Sequence, residues 1–289
     1  MRPILPRARQ LDIGGPPDYS AGRTRIPAQI SGGKMKLKKY VYVLVVAALA
    51  TFSASAQTNP GTIAAMESQT PKPGMSQQYE QGRKQKADWH KQQKDPQELY
   101  VFATISGDNT GTYLVGRMDQ HWADFDKPAI SDAADTEEFN KAVGSFVQSV
   151  TDRYYAFMPK VSNPDPSATG PAKYTELITF RVHRDKIGAF RGALVRLGEA
   201  VQKTKWPVHF EFYELVNGGA EGTFVLAEPH ANWADFEEKP DVKPFRDMLK
   251  DAFGQNEADS VYDRIENSIE SESSEILEFR PDLSYIPAK

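Results

Sequence analysis

The chain has 289 residues, with 35 Lys and Arg against 39 Asp and Glu, and no cysteine, which excludes disulfides, thiolate chemistry and a cysteine-linked lipid anchor. The first 56 residues carry nine of the basic and two of the acidic side chains, so the remainder has 26 against 37, a net of −11. A surface of that sign repels phosphate backbones and argues against a nucleic-acid partner.

Met35-Lys36-Leu37-Lys38-Lys39 is a basic start, 40–52 is apolar and uncharged, and Ala54-Ser55-Ala56 offers a small-x-small cleavage site before Gln57. That order is a secretory signal peptide, 35–56. The apolar run falls short of the roughly 20 residues a bilayer span needs. Residues 1–34, rich in Arg, Pro and Gly, read as a non-native or disordered extension with Met35 as the initiator. The expectation is an exported protein, periplasmic or extracellular, without stable membrane insertion after cleavage.

The short run 63–66 is a weak first strand. Residues 74–94 read as a helix that is polar almost all round, with apolar contacts only from Met75, Tyr79, Ala87 and Trp89, and Pro96 stops it. Residues 98–105 and 112–115 alternate as strands about a turn at Gly107 to Gly111. Trp122-Ala123-Asp124-Phe125 follows, then a helix opened by Thr136 with an acidic first turn. Its expected stripe is Phe139, Val143, Phe146, Val147, Val150 and Tyr154. A strand at 154–162 is ended by Pro159, and 163–172 is a Pro-, Ser- and Gly-rich linker. The second half gives a strand at 176–183 and a helix at 186–203 with Phe190, Leu194, Leu197 and Val201 in its stripe. A hairpin at 207–226 turns through Asn217-Gly218-Gly219. Helices at 242–253 and 257–271 are broken at Gly254, and the last strand is 276–284.

These elements repeat. Gly111-Thr112-Tyr113-Leu114-Val115 and Gly222-Thr223-Phe224-Val225-Leu226 lie 111 positions apart, as do Trp122-Ala123-Asp124-Phe125 and Trp233-Ala234-Asp235-Phe236. The offset holds without a gap from Pro96 against Pro207 to Asp126 against Glu237, then becomes 122 for 154–162 against 276–284. A match of that length reads as an internal duplication. Each copy, 57–162 and 173–289, runs strand, helix, strand, strand, helix, strand, the ferredoxin-like order. The fold class is therefore α+β, with two tandem ferredoxin-like units packed sheet to sheet as an intramolecular pseudo-dimer.

In element order and duplication, 60–289 resembles the dimeric α/β-barrel superfamily, which includes antibiotic-biosynthesis-type monooxygenases and chlorite-dismutase-like haem proteins. The resemblance implies an intramolecular pseudo-dimeric α/β barrel with a cavity between the sheets, and no particular activity. Strand alternation turns Phe210 and Phe212 toward the helices and leaves His209, Glu211 and Tyr213 inward. It also sends Glu98, Tyr100 and Phe102 inward, gives Thr179, Arg181 and His183 one polar face, and adds Glu278 and Arg280 from the last strand. The candidate ligand-binding set is His209, Glu211, Tyr213, Arg181 and Tyr100. Two readings of it stay open: a site for a polar small molecule, or cross-strand ion pairs such as Arg181 with Glu211 or Glu278. Trp122 and Trp233 read as plugs at the unit ends, with Asp124 and Asp235 capping the local turns.

The five His lie at 90, 121, 183, 209 and 230, and none pairs at His-x-x-x-His spacing, so no metal and no cofactor is expected. For the haem branch that the resemblance includes, His209 or His183 would be the axial candidates. The leading function is an exported small-molecule-binding protein. A cofactor-independent monooxygenase using Tyr100, Tyr213 or His209 is the enzymatic alternative, and a structural or protein-interaction module presenting the polar first helix is the third.

Overall fold

A computed structural model describes residues 61–287. The expected extension and signal peptide lie outside the described residues. The strands are β1 (Ile63–Pro71), β2 (Tyr100–Ser106), β3 (Tyr113–Gln120), β4 (Val147–Phe157), β5 (Tyr174–Val182), β6 (Glu211–Asn217), β7 (Thr223–His230) and β8 (Ile269–Phe279). The helices are α1 (Ser76–Gln93), α2 (Asp132–Ala142), α3 (Ile187–Thr204), α4 (Phe245–Phe253) and α5 (Gln255–Glu266).

The eight strands close into one barrel in the order β1-β3-β2-β8-β5-β7-β6-β4. Every pairing is antiparallel. Each half contributes four neighbouring strands, β4-β1-β3-β2 and β8-β5-β7-β6. The halves join edge to edge through backbone ladders, Phe102 opposite Phe279 on one side and Phe157 opposite Tyr213 on the other. Closure removes the four exposed strand edges that two separate sheets would carry.

The helices cover the outside. Around α3, α4 and α5 the core is densely apolar, with Phe180, Phe190, Leu194, Phe212, Phe224 and Leu249 all buried. The first half holds a smaller cluster of Tyr79, Val101, Val115, Val143, Leu283 and Tyr285. Its helix α1, expected to present a polar surface, instead buries Arg83, Lys86 and His90; Arg83 Nε and Nη2 have no hydrogen-bond partner, while the other two are paired. Lys86 Nζ lies 2.8 Å from Asp135 Oδ1, His90 Nδ1 2.9 Å from Asp95 Oδ2, and Arg117 Nη2 3.0 Å from the same oxygen.

The segments after β4 and β8 exchange places. Val161, which follows β4, is buried in the second-half core, while Leu283 and Tyr285, which follow β8, are buried in the first-half core. Their anchors correspond. Ser162 Oγ accepts from Phe212 N at 2.8 Å and Ser284 Oγ accepts from Val101 N at 2.9 Å. Phe212 and Val101 stand at the 111-residue offset, Ser284 and Ser162 at the 122-residue offset.

Three expectations need correction. The helix expected to open at Thr136 runs Asp132–Ala142 with Ser131 as its cap, Ser131 Oγ accepting from Ala134 N at 3.3 Å, and Val147, Val150 and Tyr154 lie on β4, not on a helical stripe. Val143 leaves helical angles at φ −124°, and β1 pairs with the following run along its whole length. The expected helix 257–271 likewise gives way to β8 at Ile269, because the polar run 270–275 is held in a ladder by β5. Trp122 and Trp233 are each 54% exposed and do not plug the units. Their aspartates do cap, Asp124 accepting from His121 N at 2.7 Å and Asp235 from Ala231 N at 2.9 Å.

Candidate functional site

Alternate residues of all eight strands face inward and line a cavity that continues past the mouth into a lobe outside the barrel, about 2050 Å³ in all. Apolar lining comes from Met66, Phe102, Tyr155, Leu177, Val225 and Leu277, and polar lining from Thr104, Arg153, Thr179, Glu211, Tyr213 and Glu275. An eight-stranded barrel filled by large aliphatic side chains would leave no such space. Here Ala64, Ser68, Thr175, Ala227 and Ser273 occupy inward positions and keep it open.

Four of the five residues expected at the site line this cavity: His209, Glu211, Tyr213 and Tyr100. Glu211 and Tyr213, two apart on β6, point the same way. The Tyr213 hydroxyl donates to Glu211 Oε2 at 2.5 Å, and its ring lies 5.4 Å from that of Phe157. Burial and the neighbouring Glu211 carboxylate push the Tyr213 hydroxyl far above the usual phenol range, so it remains a donor. Tyr100 donates to Glu98 in the same pattern. His209 stands just before β6 at the mouth, with Nδ1 3.2 Å from the Asn163 carbonyl oxygen.

Arg181 is the correction within that set. It has the inward parity but sits at the far end of β5, where Nη1 lies 3.2 Å from Thr223 Oγ1 and Nε 3.8 Å from Glu270, and it is not part of the cavity wall. Its ion-pair partner is thus neither Glu211 nor Glu278. Glu278 and Arg280 also fall on the other face, since Leu277 lines the cavity, and Arg280 instead grips Glu80 and Asp282. His183 follows β5 and lies outside the cavity wall.

Sequence reasoning missed a second group. Near the mouth the cavity extends to a lobe outside the barrel, where Glu176 on β5 and Glu228 on β7 are directly opposed and His230 lies two residues beyond Glu228. Burial, with Glu176 beside it, pushes the Glu228 carboxyl up to about 8. Burial also lowers His230 and raises Glu176. The only sequence signal was Glu228-Pro229-His230, two polar residues continuing the outward parity of Phe224 and Leu226 past the end of the helices.

No protein-family model and no curated protein matches the chain. Among solved structures, a candidate monooxygenase from Lactobacillus acidophilus NCFM aligns at 11% identity and TM-score 0.45, over 79% of this chain and 97% of that one. An anthrone oxidase-like protein aligns at 12% and 0.45, over 76% and 91%. The chlorite dismutase of Candidatus Nitrospira defluvii aligns at 9% and 0.43, over 78% and 93%. At these identities and TM-scores the likenesses carry no further argument, and the fold stands on the chain's own topology: a closed, eight-stranded antiparallel barrel whose halves run β-α-β-β-α-β and β-α-β-β-α-α-β.

Proposed function

We propose that this protein is exported and binds a small organic molecule inside its barrel. One observation carries the reading: a cavity walled by all eight strands, with an apolar body and a hydrogen-bonded Tyr213–Glu211 pair set into it. Pockets of that make-up bury most of a ligand's surface and orient it through a few polar groups. Glu211 has a second oxygen for an incoming hydroxyl or amine, so the favoured class is an aromatic or alicyclic compound bearing one such donor. The two halves, 57–162 and 173–289 about the 163–172 connection, are read as tandem ferredoxin-like copies forming an intramolecular pseudo-dimer. The matched Ser162 and Ser284 anchors support this.

The test is a thermal-shift and calorimetric screen of the mature protein against phenols, aromatic amines and haemin. A ligand present at a hundred times its Kd stabilises by about 2.7 kcal/mol. Binding lost in Val225→Trp, which fills the cavity, and weakened in Glu211→Gln supports the reading; binding indifferent to both removes it. Turnover under oxygen would favour the cofactor-independent monooxygenase. Tyr213 and Tyr100 both donate to carboxylates, which leaves His209 at the mouth as the base that alternative would use. Failure to bind anything would favour the interaction module. Among the described residues no helix is long and apolar enough to cross a membrane. Export is tested separately: N-terminal sequencing of the secreted form should begin at Gln57, and a product starting at Met1 and retained in the cytoplasm would contradict it.

A further inference from the structure

The lobe outside the barrel wall holds three potential metal ligands drawn from two adjacent strands. One atom from each of Glu176, Glu228 and His230 lies within 4.8 Å of the other two. The strand ladder fixes the geometry, since Glu176 and Glu228 are cross-strand partners and His230 shares Glu228's face two residues on. Glu228 is only 9% exposed, and its Oε1 has no hydrogen-bond partner. His230 Nε2 is buried, also without a hydrogen bond, and 4.0 Å from Glu176 Oε2. A carboxylate oxygen and an imidazole nitrogen buried side by side and unsatisfied are costly unless something occupies the space between them.

The surroundings hold the imidazole in place. Its ring stacks on Phe236 at 3.9 Å between centroids. The nearby Lys239 is engaged with Asp235 at 3.5 Å.

We propose that Glu176, Glu228 and His230 form a binding site for one divalent transition-metal ion, of the Zn²⁺ or Mn²⁺ class, at the mouth of the cavity. Nitrogen and oxygen ligands to such ions sit at about 2.0–2.2 Å, which puts them roughly 3–3.5 Å from one another. A separation at the 4.8 Å bound therefore closes by about 1.3–1.8 Å, and the 4.0 Å between His230 Nε2 and Glu176 Oε2 by about 0.5–1 Å, through side-chain torsions. One imidazole with two carboxylates suits these ions rather than Cu⁺, which favours sulfur. All three residues also line the lobe outside the barrel wall. Three protein ligands with an open position is the arrangement of reactive sites rather than structural ones. The site lies on the outer face of the wall and stands whether or not the interior takes an organic ligand.

The test uses untagged mature protein stripped with chelator. ZnCl₂ is titrated by calorimetry, and CoCl₂ by its visible d–d absorption. The expected result is one ion per chain, with affinity reduced at least about a hundredfold in Glu228→Gln and in His230→Gln, beyond the loss typical of supporting residues. Near-ultraviolet circular dichroism of the metal-free variants should match the wild type. Should His230→Gln fail to fold, Glu228→Gln, which keeps shape and volume, decides alone. Absence of saturable binding at one equivalent, or wild-type affinity in Glu228→Gln, overturns the proposal.

Discussion

Leu283→Ala tests the exchange of segments between the halves. Leu283 follows β8, at the end of the second half, yet it is fully buried among Tyr79, Val101, Val143 and Tyr285 of the first-half cluster. Flanking bonds hold it there, Leu99 N to the Tyr285 carbonyl at 2.8 Å and Arg280 N to the Val101 carbonyl at 2.8 Å. Truncating a fully buried leucine where the backbone is pinned on both sides leaves a cavity that cannot collapse, and the cost is about 3 kcal/mol, near the low end of measured Leu→Ala losses. For a domain of this size that lowers the melting midpoint by about 6–12 °C. Differential scanning calorimetry of the mature protein and the variant reads the shift directly. Because each half supplies part of the other's core, the variant should still melt in one transition. A shift below about 2 °C, or a split into an early and an unchanged late transition, would refute the interlocked arrangement.

The paired serine anchors should respond alike. Ser162→Ala strands the amide of Phe212 and Ser284→Ala that of Val101, each costing about 1–3 kcal/mol, and urea unfolding in which only one of the two is destabilised would break the equivalence. Glu266 gives a pH test. Burial, with Glu272 and Asp263 near, pushes its carboxyl up to about 7, and its Oε1 has no hydrogen-bond partner. Between the ordinary carboxylate range and pH 7 the folded state binds the extra proton, so this group's contribution to stability falls as pH rises and the penalty is complete above 7. Glu266→Gln should thus stabilise by about 1 kcal/mol at pH 8, after allowance for partial solvent screening, and by almost nothing at pH 4.5. Equal urea midpoint shifts at the two pH values would contradict that.

Much of the fold was legible because the repeat and the hydrophobic periodicities agreed. Phe190, Leu194, Leu197 and Val201 mark α3, and the turns at Gly111 and Gly222 need their positive φ of 89° and 80°. The misread segments are those whose conformation is set by a partner strand. Residues 147–154 carry apolar side chains at spacings of three and four, yet they pair with β1, and 270–275 are wholly polar, yet they pair with β5. Alternation alone placed Tyr100, Glu211 and Tyr213 inward. It could not say how far along the barrel axis Arg181 would fall, because parity gives a face and not a height. The Glu176, Glu228 and His230 group was invisible for a related reason. Its members come from two strands, and the opposition of Glu176 with Glu228 is a register fact that no local spacing records.

The account rests most heavily on the interior of the barrel being a place where a molecule binds. A crystal structure of the mature protein with the tightest-binding phenol or amine from the screen tests that directly. The account predicts ligand density enclosed by the eight strands, with the donor group within hydrogen-bond distance of Glu211. Density confined to the outer surface, beside an interior holding only solvent, would contradict it.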